Sequence, residues 1–279
     1  MVLLSKSKIA IALGLSFLTI IGYILTHPIP IVLMLHSVLD DPQNSPHISS
    51  IRFQAFVKTI RQRSDPIEIT TDSSEYNIYS NFYPALREHG LTATIFVLPL
   101  MLESEGMLTW SQIREMDRSG FTIGSHTLTH PWLPDLTDEE ITYELCFSKF
   151  LIEKELGHSV TALAYPYGAF DMRVKNIAHK CGYTQAYVTA PGRRFRDNDS
   201  LAQKRVYVNE ALLRNPVLTW LALSGFYVTT RELTLSLLPI DVPRKPEEWS
   251  YATWRKYEGG IEHQNLFCSP RSQPEKMTH

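Results

Sequence analysis

The chain has 279 residues, of which 44% are hydrophobic and 20% are charged. This length suits one large domain or two small ones at roughly 150 residues per domain, and the apolar share is ample for a packed core. The 27 Lys and Arg residues nearly balance the 29 Asp and Glu residues, which gives a net charge of −2. This balance argues against nucleic acid as a partner, because nucleic-acid binding needs a basic surface.

The three cysteines, Cys146, Cys181 and Cys268, are few and far apart in the sequence. Cysteine-rich zinc sites draw their ligands from close pairs, and disulfide frameworks use more cysteines than this. Free cysteines commonly behave as small buried hydrophobic residues. We therefore expect these three to be unpaired.

The amino-terminal segment is strongly apolar. Asp, Glu, Lys and Arg are absent from Ile9 to Leu39, and the stretch Ile9–Thr26 would make about 27 Å of helix. This length nearly matches a hydrocarbon core of roughly 30 Å. Because Lys6 and Lys8 precede the stretch, the positive-inside rule predicts a single-pass membrane anchor with the rest of the chain outside the cytoplasm. A cleaved signal peptide and a secreted protein are the alternative, but the stretch does not end in a small-x-small cleavage site.

Strands and helices are predicted to alternate after the anchor. The apolar run Ile31–His36 predicts a buried strand, and apolar residues at i, i+3, i+4 and i+7 from Phe53 to Ile60 predict an amphipathic helix. Further strands are predicted at residues 67–71, 93–98, 121–125, 162–165, 184–188 and 205–208. Further helices are predicted at residues 77–89, from Thr109 to Gly120, from Thr137 to Gly157, and at about 172–180. The alternation predicts a parallel α/β sheet or a closed barrel, with a site at the carboxyl ends of the strands.

The pattern changes near the carboxyl terminus. Prolines interrupt the sequence from Pro239 onward, and hydrophobic periodicity is lost there. We therefore divide the chain into a cytoplasmic stub with its anchor at residues 1–27, a domain at residues 28–238, and a loosely attached or disordered tail at residues 239–279.

Two histidines follow one of the predicted strands. His126 and His130 are four positions apart, and in a helical turn both rings would reach one metal ion. Neutral imidazole suits zinc, nickel, cobalt or iron. Two surface histidines without a metal are the alternative, because this spacing alone is weakly specific.

Two other loops carry candidate site residues. Asp72 follows the strand at residues 67–71 and could bind a metal or accept a proton, or could cap a turn. Tyr165–Gly168 forms a rigid aromatic turn that could line a sugar groove. His36, at the end of the first strand, either faces the site or has a structural role.

Taken in this order, the three loops resemble the polysaccharide deacetylase family, also called the NodB-homology or carbohydrate esterase 4 family. The resemblance extends from about Ile31 to Val208. His126 and His130 match the family's H-[ST]-x-x-H metal motif, and Tyr165-Pro-Tyr-Gly168 matches its third motif. The segment Met34-Leu-His-Ser-Val38 is similar to the branch that deacetylates poly-N-acetylglucosamine in biofilm matrices.

The resemblance implies a distorted (β/α)₇-type barrel and metal-dependent hydrolysis of N-acetyl groups from a cell-surface N-acetylglucosamine polymer. It implies that His126 and His130 bind a divalent metal, with zinc first and nickel, cobalt or iron as alternatives. It further implies that Asp72 is the catalytic base and that the backbone N–H of Tyr167 stabilises the oxyanion. The substrate groove would be lined by Tyr165, Pro166 and Tyr167.

The sequence departs from the family pattern at several positions. The second aspartate of the family's T-F-D-D-G motif, a metal ligand, aligns with Ser73, so weaker metal binding is expected. Ala164 stands where many family members carry an arginine that orients the catalytic aspartate, although several branches lack it too, and the histidine of the late acid motif is missing. The six residues between Arg63 and Thr70 suggest that one βα unit is lost. A relative that binds glycan without cleaving it is therefore the alternative function.

Overall fold

The computed structural model describes residues 31–40, 47–63, 67–189 and 199–224. The predicted anchor at residues 9–26 and the predicted tail at residues 239–279 lie outside these ranges. Within the ranges, no helix is both long and apolar enough to cross a bilayer.

Strands and helices alternate as the sequence predicts. The strands are β1 (Ile31–Leu35), β2 (Val38–Leu39), β3 (Ile48–Ser49), β4 (Ile67–Thr71), β5 (Thr94–Val97), β6 (Thr122–Ser125), β7 (Ala162–Ala164), β8 (Gln185–Val188), β9 (Gln203–Lys204) and β10 (Val206–Tyr207). The α-helices are α1 (Ser50–Arg61), α2 (Tyr83–Glu88), α3 (Trp110–Arg118), α4 (Asp138–Thr142), α5 (Ser148–Leu156), α6 (Met172–Lys180), α7 (Glu210–Arg214) and α8 (Pro216–Leu223). Two π-helical segments, Ile78–Phe82 and Tyr143–Phe147, lead into α2 and α5.

Eight strands form one parallel sheet in the order β10-β1-β4-β5-β6-β7-β8-β9, and β2 pairs separately with β3. The two edges meet at one short stretch of chain, since β9 pairs with β8, β10 pairs with β1, and Arg205 lies between β9 and β10. Counting β9 and β10 as one position, the sheet is a near-barrel with seven strand positions. This confirms the parallel barrel-like fold. The short Arg63–Thr70 spacing suggests the loss of one βα unit, but the sheet has seven strand positions, so that expectation is not supported.

Short-range sequence signals set the helix ends. Both predicted capping boxes are present, because Thr109 accepts a hydrogen bond from Gln112 N and Thr137 accepts one from Glu140 N. Gly157 ends α5 with a φ of 78°, a left-handed conformation that costs glycine little. These contacts are local in sequence, which explains why composition and spacing predict them well.

The inside of the barrel is filled by a small cluster of buried side chains. Phe96, Ala162, Ala164 and Tyr187 form this cluster, separate from the larger core between sheet and helices. Gly124 is required beside it, because a Cβ there would lie 2.5 Å from atoms of the Phe96 ring. The guanidinium carbon of Arg205 lies 5.6 Å from the Phe96 ring centroid and so covers one end of the cluster.

The structure corrects the expectation for the cysteines. Cys146 and Cys181 form a disulfide with a Cα–Cα distance of 5.2 Å, and Cys268 lies outside the described residues. Cys146 is in the π-helical segment Tyr143–Phe147, and Cys181 caps the carboxyl end of α6, which packs beside that segment. The 35-residue separation hides this contact from an analysis of spacing alone.

Candidate active site

The three loops meet at the carboxyl ends of neighbouring strands, as the sequence predicts. Asp72 follows β4, His126 follows β6, and Tyr165 follows β7. The backbone N–H of Asp72 donates to Leu35 O at the end of β1 (3.4 Å), and that of His126 donates to Val97 O at the end of β5 (2.8 Å). Each loop is therefore held in register with an adjacent strand.

Asp72 forms a bidentate ion pair with Arg205. The Nη1 and Nη2 atoms of Arg205 donate to the two carboxylate oxygens, each over 2.5 Å. The Asp72 side chain is 3% exposed and the Arg205 side chain is 0% exposed. Arg205 also donates to Thr70 Oγ1 over 3.2 Å and to Val188 O over 3.4 Å. A planar guanidinium suits this paired geometry, so the orientation of the carboxylate is fixed.

The ion pair keeps Asp72 ionised. Burial by itself would raise the pKa of the Asp72 carboxyl, but the charge of Arg205 together with its hydrogen bonds outweighs burial. The pKa is consequently lowered from its ordinary value. Asp72 is therefore a carboxylate at neutral pH, able to accept a hydrogen bond or a proton.

His126 and His130 lie together, although not in a helical turn. Their ring centroids are 4.7 Å apart and the ring planes meet at 73°. The loop between them takes positive φ at Thr127 (70°) and His130 (62°), so the predicted helical turn is wrong while the predicted pairing of the rings is confirmed. Such conformations cost about 1–3 kcal/mol each and concentrate at functional sites.

The ring of His126 has a fixed orientation. Its Nδ1 lies 2.9 Å from Ala164 O, and because a carbonyl only accepts, we assign the proton to Nδ1. Nε2 is then the unprotonated nitrogen. Metal-binding histidines typically donate from one ring nitrogen to a carbonyl or carboxylate in this way.

Both rings are neutral at physiological pH. Burial lowers the pKa of His126, and burial with the nearby His126 ring lowers the pKa of His130 to about 3. A neutral imidazole is the form that binds a metal.

We expect the neutral state of these two rings to be visible in the histidine NMR spectrum of the metal-free protein. His130 should keep neutral-ring shifts from pH 8 down to about pH 5, and His126 should protonate below the ordinary histidine value. His158 should protonate above its ordinary value, because its hydrogen bond to Asp117 (3.0 Å) raises its pKa. A ring of the His126–His130 pair that titrates together with His158 would contradict the described burial.

The side chains present suit a divalent metal, but they provide fewer ligands than a catalytic metal site usually has. The two neutral imidazoles are suitable nitrogen donors, but catalytic zinc sites have three protein ligands. Ser73 stands at the third position, and its hydroxyl accepts a hydrogen bond from Glu75 N over 3.2 Å. In the described part of the chain, no three His, Cys, Asp or Glu side chains come together as a metal site. A metal here would be held by His126 and His130 and bound more weakly than with a carboxylate at position 73.

The turn after β7 brings one aromatic ring to the histidines. Tyr167 has a φ of 59°, and its ring centroid lies 4.5 Å from that of His130 and 5.6 Å from that of Trp132. The prediction that Tyr165 lines a groove is not supported, because Tyr165 is fully buried and its hydroxyl donates to Leu201 O. Pro166 is buried as well, so Tyr167 is the residue of this turn that can contact a ligand.

Two residues complete the site, one of them absent from the sequence prediction. His36 is partly exposed and directly follows β1, and its backbone oxygen accepts a hydrogen bond from Thr71 Oγ1 (2.8 Å), the residue before Asp72. Arg205 was not identified as a site residue, although a buried arginine within a predicted strand needs an acidic partner. That requirement is the signal that could have identified it.

Comparison with known proteins shows which proteins this chain is similar to. Residues 59–186 match the family model for polysaccharide deacetylase. The chain is 33% identical to the deacetylase-family protein YxkH of Bacillus subtilis over 144 residues, which is 52% of each chain. It is 29% identical to the chitooligosaccharide deacetylase of Azorhizobium caulinodans, covering 44% of this chain and 58% of the relative. The chain thus spans about half the length of the curated relatives it matches.

Solved structures share the fold of this chain. The Streptococcus pyogenes deacetylase PplD has a TM-score of 0.63 at 22% identity, covering 69% of this chain and 99% of that one. A polysaccharide deacetylase from Bacillus cereus has a TM-score of 0.61 at 28% identity, covering 70% of this chain and 68% of that one. IcaB from Ammonifex degensii, with a TM-score of 0.60 at 22% identity and coverage of 70% and 97%, shares the fold. Residues 59–186 therefore match the polysaccharide deacetylase family model, and the barrel domain is similar in fold to these solved deacetylases.

Proposed function

We propose that the domain hydrolyses N-acetyl groups from a cell-surface polymer that contains N-acetylglucosamine. The observation that carries this proposal is the buried, ionised Asp72 carboxylate beside the neutral His126–His130 pair, at the carboxyl edge of the barrel. Amide hydrolysis needs a base for the attacking water, stabilisation of the oxyanion, and an acid for the leaving amine. The residues around Asp72 can supply each function.

Asp72 acts as the general base. Arg205 aligns its carboxylate and keeps it ionised, so the carboxylate can accept the proton of a water molecule next to the substrate carbonyl. A divalent ion bound by His126 and His130 would polarise the acetamide carbonyl and make its bound water more acidic.

Tyr167 serves both the oxyanion and the sugar. Its backbone N–H lies in a tight turn. Hydrogen bonds from Gly168 N to Tyr165 O and from Ala169 N to Pro166 O close this turn. Removing one such oxyanion donor costs on the order of 3 kcal/mol in other hydrolases. The rings of Tyr167 and Trp132 lie side by side and provide an apolar surface for a sugar ring.

His36 is our candidate for the general acid that protonates the leaving amine. It follows β1 directly, and its backbone oxygen accepts a hydrogen bond from Thr71 Oγ1 (2.8 Å), next to Asp72. In this proposal, His36 replaces the late acid histidine of the family pattern, which the sequence lacks.

The substrate and location rest on separate features. The relatives named chitooligosaccharide deacetylase and chitin deacetylase suggest an N-acetylglucosamine polymer. The Met34–Val38 segment suggests the poly-N-acetylglucosamine branch. The predicted anchor at residues 9–26 places the domain outside the cytoplasm, or in the medium if the segment is cleaved. The Cys146–Cys181 disulfide supports either location, because disulfides persist in oxidising compartments.

Acetate release tests the proposal directly. The purified protein, incubated with N-acetylglucosamine oligomers and with zinc, nickel or cobalt, should release acetate and expose free amines. Asp72→Asn should abolish release, with circular dichroism verifying that the variant is folded. If the native protein releases no acetate with any of these metals, hydrolysis is excluded.

Glycan binding without cleavage is the second candidate, and Ser73 is the observation that favours it. A serine hydroxyl is a poor metal ligand compared with a carboxylate. If oligomers bind to the native protein but acetate release is absent, this second function replaces the first.

We expect Ser73→Asp to tighten zinc binding by at least about 100-fold, because even residues that only orient metal ligands are worth 10–100-fold in affinity. Isothermal titration calorimetry measures the change. Ser73→Asn is the matched control, since it has nearly the same size without the charge and should leave the affinity almost unchanged. No gain in affinity for Ser73→Asp would show that position 73 does not face the His126–His130 pair.

A further inference from the structure

We propose that Glu144 is a positioning residue, which holds the loop between His126 and His130 in the conformation that brings the two rings together. Its carboxylate acts through the backbone of this loop and through the Thr129 hydroxyl. The consequence for catalysis rests on the proposed function, but the consequence for the loop does not.

All three hydrogen bonds that identify this role end on the loop. Glu144 is fully buried in the π-helical segment Tyr143–Phe147. Its Oε2 accepts from Leu128 N (2.9 Å) and from Thr129 N (3.0 Å), and its Oε1 accepts from Thr129 Oγ1 (2.6 Å). One carboxylate therefore fixes two of the three residues between the histidines.

The loop needs such a partner. Positive φ at Thr127 and at His130 makes its backbone intrinsically unfavourable, so surrounding contacts must impose the conformation. The N–H groups of Leu128 and Thr129 lie in a buried region, where an unpaired donor is costly. A buried carboxylate satisfies both with charge-assisted hydrogen bonds, which are stronger than neutral ones.

Glu144 itself is held in place by its neighbours. Cys146, two residues later, is joined to α6 by the disulfide with Cys181. The hydroxyls of Ser148 and Ser125 form a hydrogen bond of 2.8 Å, and Ser125 directly precedes His126. The segment that carries Glu144 is thus fixed to the strand end from which the loop starts, which gives the carboxylate a defined position.

The test compares Glu144→Leu with Glu144→Gln in the full chain. Glutamine can accept from both backbone N–H groups with its amide oxygen and donate to the Thr129 hydroxyl, so it should keep the loop. Leucine removes every acceptor. We expect amide exchange of Leu128 and Thr129 to accelerate at least about 100-fold in Glu144→Leu and to stay within about threefold in Glu144→Gln.

The histidine rings give a readout that a general loss of stability would not change. The nuclear Overhauser contact between the His126 and His130 rings should disappear in Glu144→Leu and persist in Glu144→Gln. If the native protein releases acetate, kcat should fall at least about tenfold in the leucine variant while KM changes little. If the native protein is inactive, the exchange and ring measurements still decide the proposal.

A folded Glu144→Leu variant with slow amide exchange and an intact ring contact would overturn the inference. If Glu144→Leu does not fold, Thr129→Val decides, because it removes only the hydroxyl donor to Oε1. Faster exchange at Leu128 and Thr129 is then expected, and unchanged exchange overturns the inference.

Discussion

Replacing Arg205 by methionine is expected to lower the free energy of unfolding by about 3–5 kcal/mol and to abolish acetate release. The Arg205–Asp72 pair is almost completely buried, with side chains 0% and 3% exposed. Methionine has a similar volume without the charge, so the Asp72 carboxylate would be left in the interior without compensation. Urea denaturation measures the loss of stability, and acetate release measures the loss of the oriented base.

The contribution of Asp72 to the pH dependence of stability should have opposite signs in the native protein and in Arg205→Met. In the native protein the pKa of Asp72 is lowered, so its contribution to stability is present above the ordinary value of 3.8 and is lost as pH falls through the lowered pKa. Without Arg205, burial alone raises the pKa of Asp72. The variant then loses stability as pH rises through that raised value. The difference between the two proteins should therefore be largest at neutral pH and should shrink toward pH 4.

Two control variants separate the buried pair from arginine loss in general. Arg52→Met removes an arginine that pairs with Glu210 over 2.6 Å but is 42% exposed, and it should cost no more than about 1 kcal/mol. Asp72→Asn combined with Arg205→Met removes both charges and should restore much of the lost stability. If Arg205→Met is no less stable than Arg52→Met, the Asp72–Arg205 pair is not buried as described.

The Arg205–Asp72 contact shows where sequence reasoning stops. The alternation of elements predicts that Asp72, His126 and the Tyr167 turn meet at one edge, because strand ends of a parallel sheet share that edge. The partner of Asp72 depends instead on which distant segment closes the barrel. Arg205 lies 133 residues from Asp72, and nothing in the local pattern specifies their contact. Ala164 stands where the resemblance leads one to expect an arginine, and Arg205, which lies between β9 and β10, supplies the cation instead.

Backbone conformation was the other limit. The four-residue spacing of His126 and His130 predicted two adjacent rings and a helical turn, of which the rings are adjacent and the turn is not helical. A turn with positive φ at two non-glycine residues has no sequence signature, because side-chain partners such as Glu144 impose it. Helix ends were predicted well for the opposite reason, since the Thr109 capping box depends on residues three positions apart.

Removing the disulfide is expected to lower the free energy of unfolding by about 3–4 kcal/mol. The estimate follows from the loop that the bridge closes, because Cys146 and Cys181 are 35 residues apart and the bridge restricts the unfolded chain over that length. The variant Cys146→Ser with Cys181→Ser should unfold at a correspondingly lower urea concentration.

Reduction provides the matched experiment on the native sequence. Dithiothreitol should shift the unfolding curve of the native protein close to that of the double serine variant, and it should leave the curve of that variant unchanged. The disulfide also joins the segment that carries Glu144 to α6, so amide exchange at Leu128 and Thr129 should rise in the serine variant as well. If dithiothreitol leaves the native curve unchanged although mass spectrometry shows both thiols free, the bridge contributes nothing to stability. In that case the packing between the π-helical segment and α6 alone would hold the two cysteines together.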